Sequence, residues 1–240
     1  MPNESSMREG LELAARFSLP PNQLGLCGPK KADCSSLNRL LSTMKKFRAP
    51  YAYMRLIAEA NGLEPFDYEV TEAFWLGNKR LHGIQDEDME GLIRTNFVGK
   101  DLLAPTRAEA LIDQLPRRIY PHHAFHVFYV GSVTGVLKRT SGALDSCRVA
   151  WGEVKELEKN RAVVSYSPIE MSRKSVRFAK AKTARWHMDA QAATQSIEEG
   201  DTLASHWKTV AMTISGRQQK NLQKYTQINM ALFAQRPQES

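Results

Sequence analysis

Cysteine and histidine supply the soft sulfur and borderline nitrogen donors that transition metals take up. This 240-residue chain carries three of the first and six of the second. Cys147 opens the run Cys147-Arg148-Val149-Ala150-Trp151-Gly152-Glu153-Val154, a cysteine, four residues, a glycine, one residue and a valine. About fifty residues later, Gly200-Asp201-Thr202-Leu203-Ala204-Ser205-His206 reads as a turn, an apolar strand and a histidine. A thiolate is a strong donor to soft metals, and a neighbouring imidazole can serve as a second ligand or as its hydrogen-bond partner. A further group, His122, His123 and His126, falls within five residues. On a helix His122 and His126 share a face at i, i+4, and His123 and His126 pair at i, i+3. On a strand His122 and His126 again share a face, further apart. Either arrangement presents two imidazoles to one metal, with Cys27 or Cys147 as a third ligand. The same residues also have ordinary explanations. A cysteine is a good small hydrophobe, and histidines stand beside helix starts, fill apolar walls or face solvent. Cys34 and His82 lie among polar residues and receive no functional role, while His187, beside Trp186, is a candidate for a rim contact.

Around these residues the chain reads as an ordinary folded protein. It is 42% hydrophobic and 25% charged, which excludes a disordered tail, a collagen-like chain and a disulfide scaffold. No run approaches the roughly 20 apolar residues of a membrane-spanning helix. Glu4, Glu9 and Glu12 break up any secretory leader, and an odd cysteine count suits a reducing compartment, so the expected location is cytoplasmic. Glycine-rich phosphate loops, a Gly-x-Ser-x-Gly elbow, His-Glu-x-x-His and paired Cys-x-x-Cys are all missing from the sequence. The net charge of +7 leaves nucleic acid, an anionic surface or an acidic protein as partners. Arg173, Lys174, Arg177, Lys180, Lys182 and Arg185 concentrate it, with no acid between Glu170 and Asp189. Arg173, Lys174 and Arg177, with Trp207 after the second motif, are the expected partner contacts; a solvated strand face is the plainer reading of the cations.

The elements that must position these groups change period midway. Ser6 with Glu9 reads as a capping box opening a helix to about Phe17, stopped by Pro20-Pro21. Ser35 or Ser36 caps the next helix, whose stripe is Leu37, Leu40, Leu41, Met44 and Phe47. Pro50 starts a third, ended by Asn61-Gly62. Further helices are expected over about 67–82, 87–98 and 106–115, the last with a Thr106/Glu109 capping box. Beyond them, 161–167 and 175–182 alternate with period two, as half-buried strands do, and Glu158-Lys159-Asn160 supplies a hairpin turn. A last helix, capped by Ser215, carries Leu222, Tyr225, Ile228, Met230 and Leu232. The expected fold is therefore α+β: an N-terminal helical domain over 1–120, a connector over 121–146 able to form strand or buried helix, then a small OB-like β-barrel with a C-terminal helix over 147–240.

The two motifs at Cys147 and Gly200 resemble those of the small HypC/HupF-type chaperones of nickel–iron hydrogenase maturation. The barrel of that family begins Cys-x-x-x-x-Gly-x-Val, and a later Gly-Asp/Gln-x-Val-x-x-His segment is followed by a helix. Ala211-Met212-Thr213-Ile214 ahead of the last helix fits as well, so the resemblance spans about residues 146–232. It implies that Cys147 is a ligand and His206 its helper, gripping an iron fragment that carries cyanide and carbon monoxide. The implied partners are a maturation scaffold protein and the hydrogenase large subunit, with no membrane insertion. Pro20 to Pro29, Pro121 to Phe128 and Asp145-Ser146-Cys147-Arg148 are similar to an uncharacterised family that accompanies hydrogenase genes. One alternative is a metal-dependent enzyme built on His122, His123 and His126, although the nearest carboxylates in sequence are Asp113 and Asp145. The other is a nucleic-acid-binding OB module using the cations with Tyr166, Phe178 and Trp186; the motif at Cys147 has no part in it, so nucleic acid ranks last.

Overall fold

Leu11, Leu13, Ala14, Ala15 and Phe17 lay a buried stripe along the first helix, α1 (Glu4–Gln23). The computed structural model describes residues 4–26, 28–99, 102–131, 140–172, 175–189, 192 and 196–233. Cys27, Arg173 and Lys174 lie outside them. The expected stop at Pro20-Pro21 is corrected: α1 runs through both prolines to Gln23, and both are buried. Proline in a helix withholds one N–H and crowds the carbonyl four residues back, which here are the carbonyls of Arg16 and Phe17. Ser6 does not cap. It sits inside α1 and its hydroxyl accepts from the Tyr68 N–H at 3.2 Å, tying α1 to the start of α4 (Tyr68–Trp75). Gly10 allows that approach, because an added Cβ would lie 2.1 Å from the Phe66 carbonyl oxygen.

The next helices follow their local signals more closely. The hydroxyl of Ser36 caps α2 (Leu37–Met44) by accepting from the Arg39 N–H. Pro50 lies in the first turn of α3 (Arg48–Asn61), and Gly62 closes that helix at φ 64°. The segment after α4 is a separate turn of 3-10 helix, Lys79–Leu81, rather than a continuation. Helix α5 spans Asp86–Asn96. Helix α6 (Pro105–Ile112) begins on its proline, not on the expected Thr106/Glu109 box; Glu109 instead receives Arg94 through two bonds of 3.1 and 3.2 Å.

Of the two forms expected over residues 121–131, strand or buried helix, the chain takes the buried helix. A short helix α7 (His123–Phe125) passes into a π-helical turn, His126–Val130, closed by the Gly131 N–H on the His126 carbonyl at 2.7 Å. Phe125, Tyr129 and Val130 join the main hydrophobic cluster. That cluster also takes in Val149, Ala204, Ala211 and Ile214 from the barrel side and Leu222, Tyr225 and Leu232 from α9 (Gly216–Leu232). Packing is therefore continuous across the boundaries expected at 120 and 147. The apolar stripes of the helices are covered partly by the barrel, which a period count along one segment cannot register.

After α8 (Ser141–Cys147) come β1 (Ala150–Glu158), β2 (Arg161–Tyr166), β3 (Ile169–Met171), β4 (Val176–Phe178), β5 (Lys182–His187), β6 (Thr202–His206) and β7 (Thr209–Thr213). The strands β1-β2-β5-β7-β6 close a barrel, and β3-β4 form a separate two-stranded sheet. Along the barrel the order is first, second, third, fifth, fourth, the OB order, with a parallel bridge between β5 and β7. The turn at Lys159-Asn160 joins β1 to β2 as expected. The single strand expected over 175–182 is instead β4, off the barrel, followed by β5 within it. Ser215 and Gln218 form the capping box that opens α9. No helix among the described residues is long and apolar enough to cross a membrane.

The glycine of the first motif has a packing reason. A Cβ on Gly152 would lie 3.1 Å from the Trp186 ring and 3.0 Å from the Ser165 carbonyl oxygen, inside the cluster built on Val154, Tyr166 and Trp186. Gly152→Ala is expected to cost about 1–3 kcal/mol through overpacking, read as a lower urea midpoint. An unchanged midpoint would mean that Trp186 moves aside without cost. Tyr166 and Trp186 pack edge to face at 5.4 Å within the barrel, and Phe178 lies under a guanidinium. These three rings do not form the open stacking face that single-strand binding uses.

Candidate metal centre

Cys147 ends α8 and is held by its neighbours. Arg148, 1% exposed, donates from Nε and Nη2 to Asp145 Oδ1 at 3.1 and 2.9 Å, and from Nη2 to the Ser167 carbonyl at 2.7 Å. Its guanidinium lies over the rings of Trp151 and Phe178. Asp145 also accepts the Tyr166 hydroxyl and the Ile169 N–H, both at 3.1 Å. Burial alone would push the Arg148 guanidinium down, and the Asp145 carboxylate beside it opposes that. The network fastens the end of α8 to the barrel where β2 gives way to β3.

His206 reaches the same place from the other side. It ends β6, and the two-residue turn Trp207-Lys208 leads into β7 with His206 paired to Thr209. Both turn residues have positive φ, 54° and 58°, the left-handed geometry that a tight hairpin requires and that glycine or asparagine usually supplies. The Trp207 N–H donates to the Ser146 carbonyl at 2.8 Å. With residue 207 bonded to residue 146, residues 206 and 147 are adjacent. α7 then adds His123, whose ring meets that of His206 edge to face at 5.0 Å.

One ligand atom from each of His123, Cys147 and His206 lies within 4.8 Å of the others. Bonds of about 2.1 Å to nitrogen and 2.3 Å to sulfur in a tetrahedron place ligand atoms about 3.4–3.6 Å apart, so side-chain rotations of about an ångström close the set. Trp75 walls the site, 4.5 Å from the His123 ring and 5.5 Å from the His206 ring, and Phe74 meets His123 at 5.6 Å. Both histidines are buried and Cys147 is half-buried, so of the three residues Cys147 is the one nearest the surface.

The hydrogen bonding of the two imidazoles suits a cation. His206 Nδ1 lies 2.6 Å from the Phe17 carbonyl oxygen. A carbonyl only accepts, so Nδ1 carries the proton and Nε2 is left with a lone pair. That Nε2 is buried with no hydrogen-bond partner, as is His123 Nδ1. Buried polar atoms are nearly always paired, and a bare ring nitrogen on each of two histidines grouped with a cysteine fits a soft or borderline metal ion. A backbone carbonyl on the far nitrogen is the usual support of a metal-binding imidazole. Burial lowers His206 to about 4, against the pull of the Phe17 and Cys147 main chain. Burial, then the neighbouring charges of His206, His126 and His122, holds His123 well below its ordinary value. Both rings are therefore neutral, the form that binds metal.

The remaining candidates are placed elsewhere. His122 Nδ1 accepts the Ala124 N–H at 3.1 Å as the cap of α7, and its ring stacks on Tyr225 at 5.6 Å. Its neutral ring therefore carries its proton on Nε2, which is an N–H donor and not a ligand. His126 turns to the Tyr53 hydroxyl at 3.4 Å and to Phe97. The three clustered histidines do not converge: α7 and the π-helical turn fan them onto different walls. Arg177 pairs with Glu170 at 3.0 Å on the outer face of the β3-β4 sheet, and Arg185 with Glu158 at 2.8 Å. Trp207 is half-buried at the hairpin tip beside the site. His82, given no role from sequence, bonds the buried Tyr225 hydroxyl at 2.8 Å. Sequence reasoning missed Trp75 and the Phe17 carbonyl. The second had a signal, since Pro21 removes the N–H that would occupy it.

The buried rings make a prediction for metal-free protein. Burial holds His126 at about 4 and His122 at about 3, besides His123 and His206. Unfolded histidine titrates near 6.5. Below that value only the unfolded chain takes up these protons, so stability is whole above about pH 6.5 and falls as the pH drops towards 4. Urea midpoints at about pH 7.5 and 5 test this; equal midpoints would show that the rings gain their protons while folded.

A family model described as a family of unknown function, DUF6390, matches residues 6–240. No curated protein and no solved structure matches the chain.

Proposed function

As the chain belongs to the DUF6390 family, whose function is unknown, we propose a function read from the site itself: the protein is a metal carrier that holds a soft metal fragment between Cys147, His206 and His123 and passes it to a partner. The observation that carries this reading is that His123, Cys147 and His206 bring ligand atoms within 4.8 Å of one another, and that each histidine has one buried ring nitrogen without a hydrogen-bond partner. Three protein ligands leave a four-coordinate metal one position for an outside ligand, which is what a hand-over by ligand exchange needs. Cys147, half-buried where both histidines are buried, marks the side from which a partner's donor would approach. Trp75 and Phe74 give the inner side an apolar wall that keeps water from the cargo.

The resemblance of Cys147 to Val154 and Gly200 to His206 to hydrogenase-maturation chaperones supports an iron fragment with cyanide and carbon monoxide as that cargo. It supports a maturation scaffold or hydrogenase large subunit as the partner. An enzyme built on His122, His123 and His126 has less support, since only His123 faces the site. Asp145, the carboxylate nearest in sequence to Cys147, has its oxygens taken up by Arg148, Tyr166 and Ile169, so it is poorly placed to act as a general base.

Anaerobic purification from cells expressing a maturation system tests the proposal. The expected result is about one iron per chain with infrared bands of bound cyanide and carbon monoxide. Protein that takes up neither iron nor added Co(II) or Zn(II) would end the carrier reading.

A further inference from the structure

The prolines in α1 have a consequence for the site at the other end of the chain. An uninterrupted helix would give the Phe17 carbonyl the N–H of residue 21. Residue 21 is proline and has none. The carbonyl accepts instead from His206 Nδ1, 189 residues along the chain, at 2.6 Å. Phe17 itself is held in place, with its ring stacked on Trp75 at 4.9 Å and Trp75 in turn against both site histidines. α1 also packs on β6 and β7, whose hairpin carries His206.

We propose that Pro21 frees the Phe17 carbonyl to fix His206 in its Nδ1–H tautomer, so that the N-terminal helix presents the Nε2 lone pair to the cargo. Pro21 is thus a positioning residue for the proposed carrier site, and this inference deepens that reading. The N-terminal helix thereby becomes a working part of the site. A neutral imidazole without a fixed partner divides between two tautomers, and only one of them offers Nε2 as a donor atom. Outer partners of this kind typically change metal affinity 10–100-fold. Pro20 supplies an internal control. It stands next in the same helix and is buried like Pro21, but the carbonyl it releases is that of Arg16, outside the His206 bond.

The test uses the full chain with Pro21→Ala and Pro20→Ala. Two-bond proton–nitrogen NMR of the metal-free protein reads the His206 tautomer directly, and Co(II) titration reads affinity. The expected result is a single Nδ1–H tautomer in the wild type and in Pro20→Ala. Pro21→Ala should mix the tautomers and weaken Co(II) binding about tenfold or more. A wild-type His206 protonated at Nε2, or a Pro21→Ala protein with unchanged tautomer, would overturn the inference. A wild type that holds the Nδ1–H tautomer, loses it in Pro21→Ala and binds no metal would refute the carrier reading while leaving the role of Pro21 standing.

Discussion

Cys147→Ala is expected to fold as the wild type does and to lose at least about a hundredfold in affinity for Co(II) or Zn(II). The floor follows from the outer-partner range of roughly 10–100-fold, which a direct ligand should exceed. The side chain sits half-buried at the end of α8, beside the small cluster of Ala124, Val127 and Phe128, so removing one sulfur leaves no large void. Co(II) is the better probe, because a thiolate ligand gives an intense ultraviolet charge-transfer band and nitrogen ligands do not. That band should be missing in Cys147→Ala and present, on weakened binding, in His123→Ala. In a native host the Cys147→Ala chain should fail to support hydrogenase activity. Equal Co(II) affinity with and without the thiol would remove Cys147 from the site, and full hydrogenase activity would remove it from the proposed delivery.

Arg148→Ala is expected to cost about 3–5 kcal/mol of folding stability, the range for breaking one side of a buried ion pair. The cost lies in what is left behind. Asp145, about a tenth exposed, would keep its charge and its bonds to Tyr166 and Ile169 but lose its counter-ion, and the rings of Trp151 and Phe178 would face a cavity. Asp145→Ala should cost a similar amount by stranding the guanidinium. The double variant should cost clearly less than the two singles together, since neither charge is then left alone. Urea denaturation of the three variants reads this directly. Additive losses, or a loss under about 1 kcal/mol for Arg148→Ala, would show that the pair is hydrated or dispensable. The same variants should weaken Co(II) binding, because the network sets where Cys147 stands relative to His206.

Elements that depend on near neighbours were legible. The Ser36 cap, the Gly62 stop, the Lys159-Asn160 turn and the Ser215 cap each rest on a few adjacent residues. Signals that compete with distant contacts misled. Pro20-Pro21 looked like a stop because proline costs a helix about 3 kcal/mol on average, but burial of both rings against the core offsets that. Ser6 looked like a cap, and its hydroxyl was taken by Tyr68 from another helix. The sixfold basic segment looked like one surface; its described cations are shared between a small separate sheet and the barrel, and two of them are paired with acids.

The linear order of residues determined that a cysteine opens the barrel and that a histidine ends its fourth strand. It also determined that a proline leaves one carbonyl of the first helix without its usual donor. Only the tertiary structure decided that these three features meet, that His123 joins them and that His122 and His126 turn elsewhere. The reason is physical. Donor atoms within 4.8 Å of one another come from α7, α8 and β6, and their bonding partner comes from α1. Which neutral ring faces which thiol is settled by how helices pack on a barrel, and no spacing within any single segment encodes that.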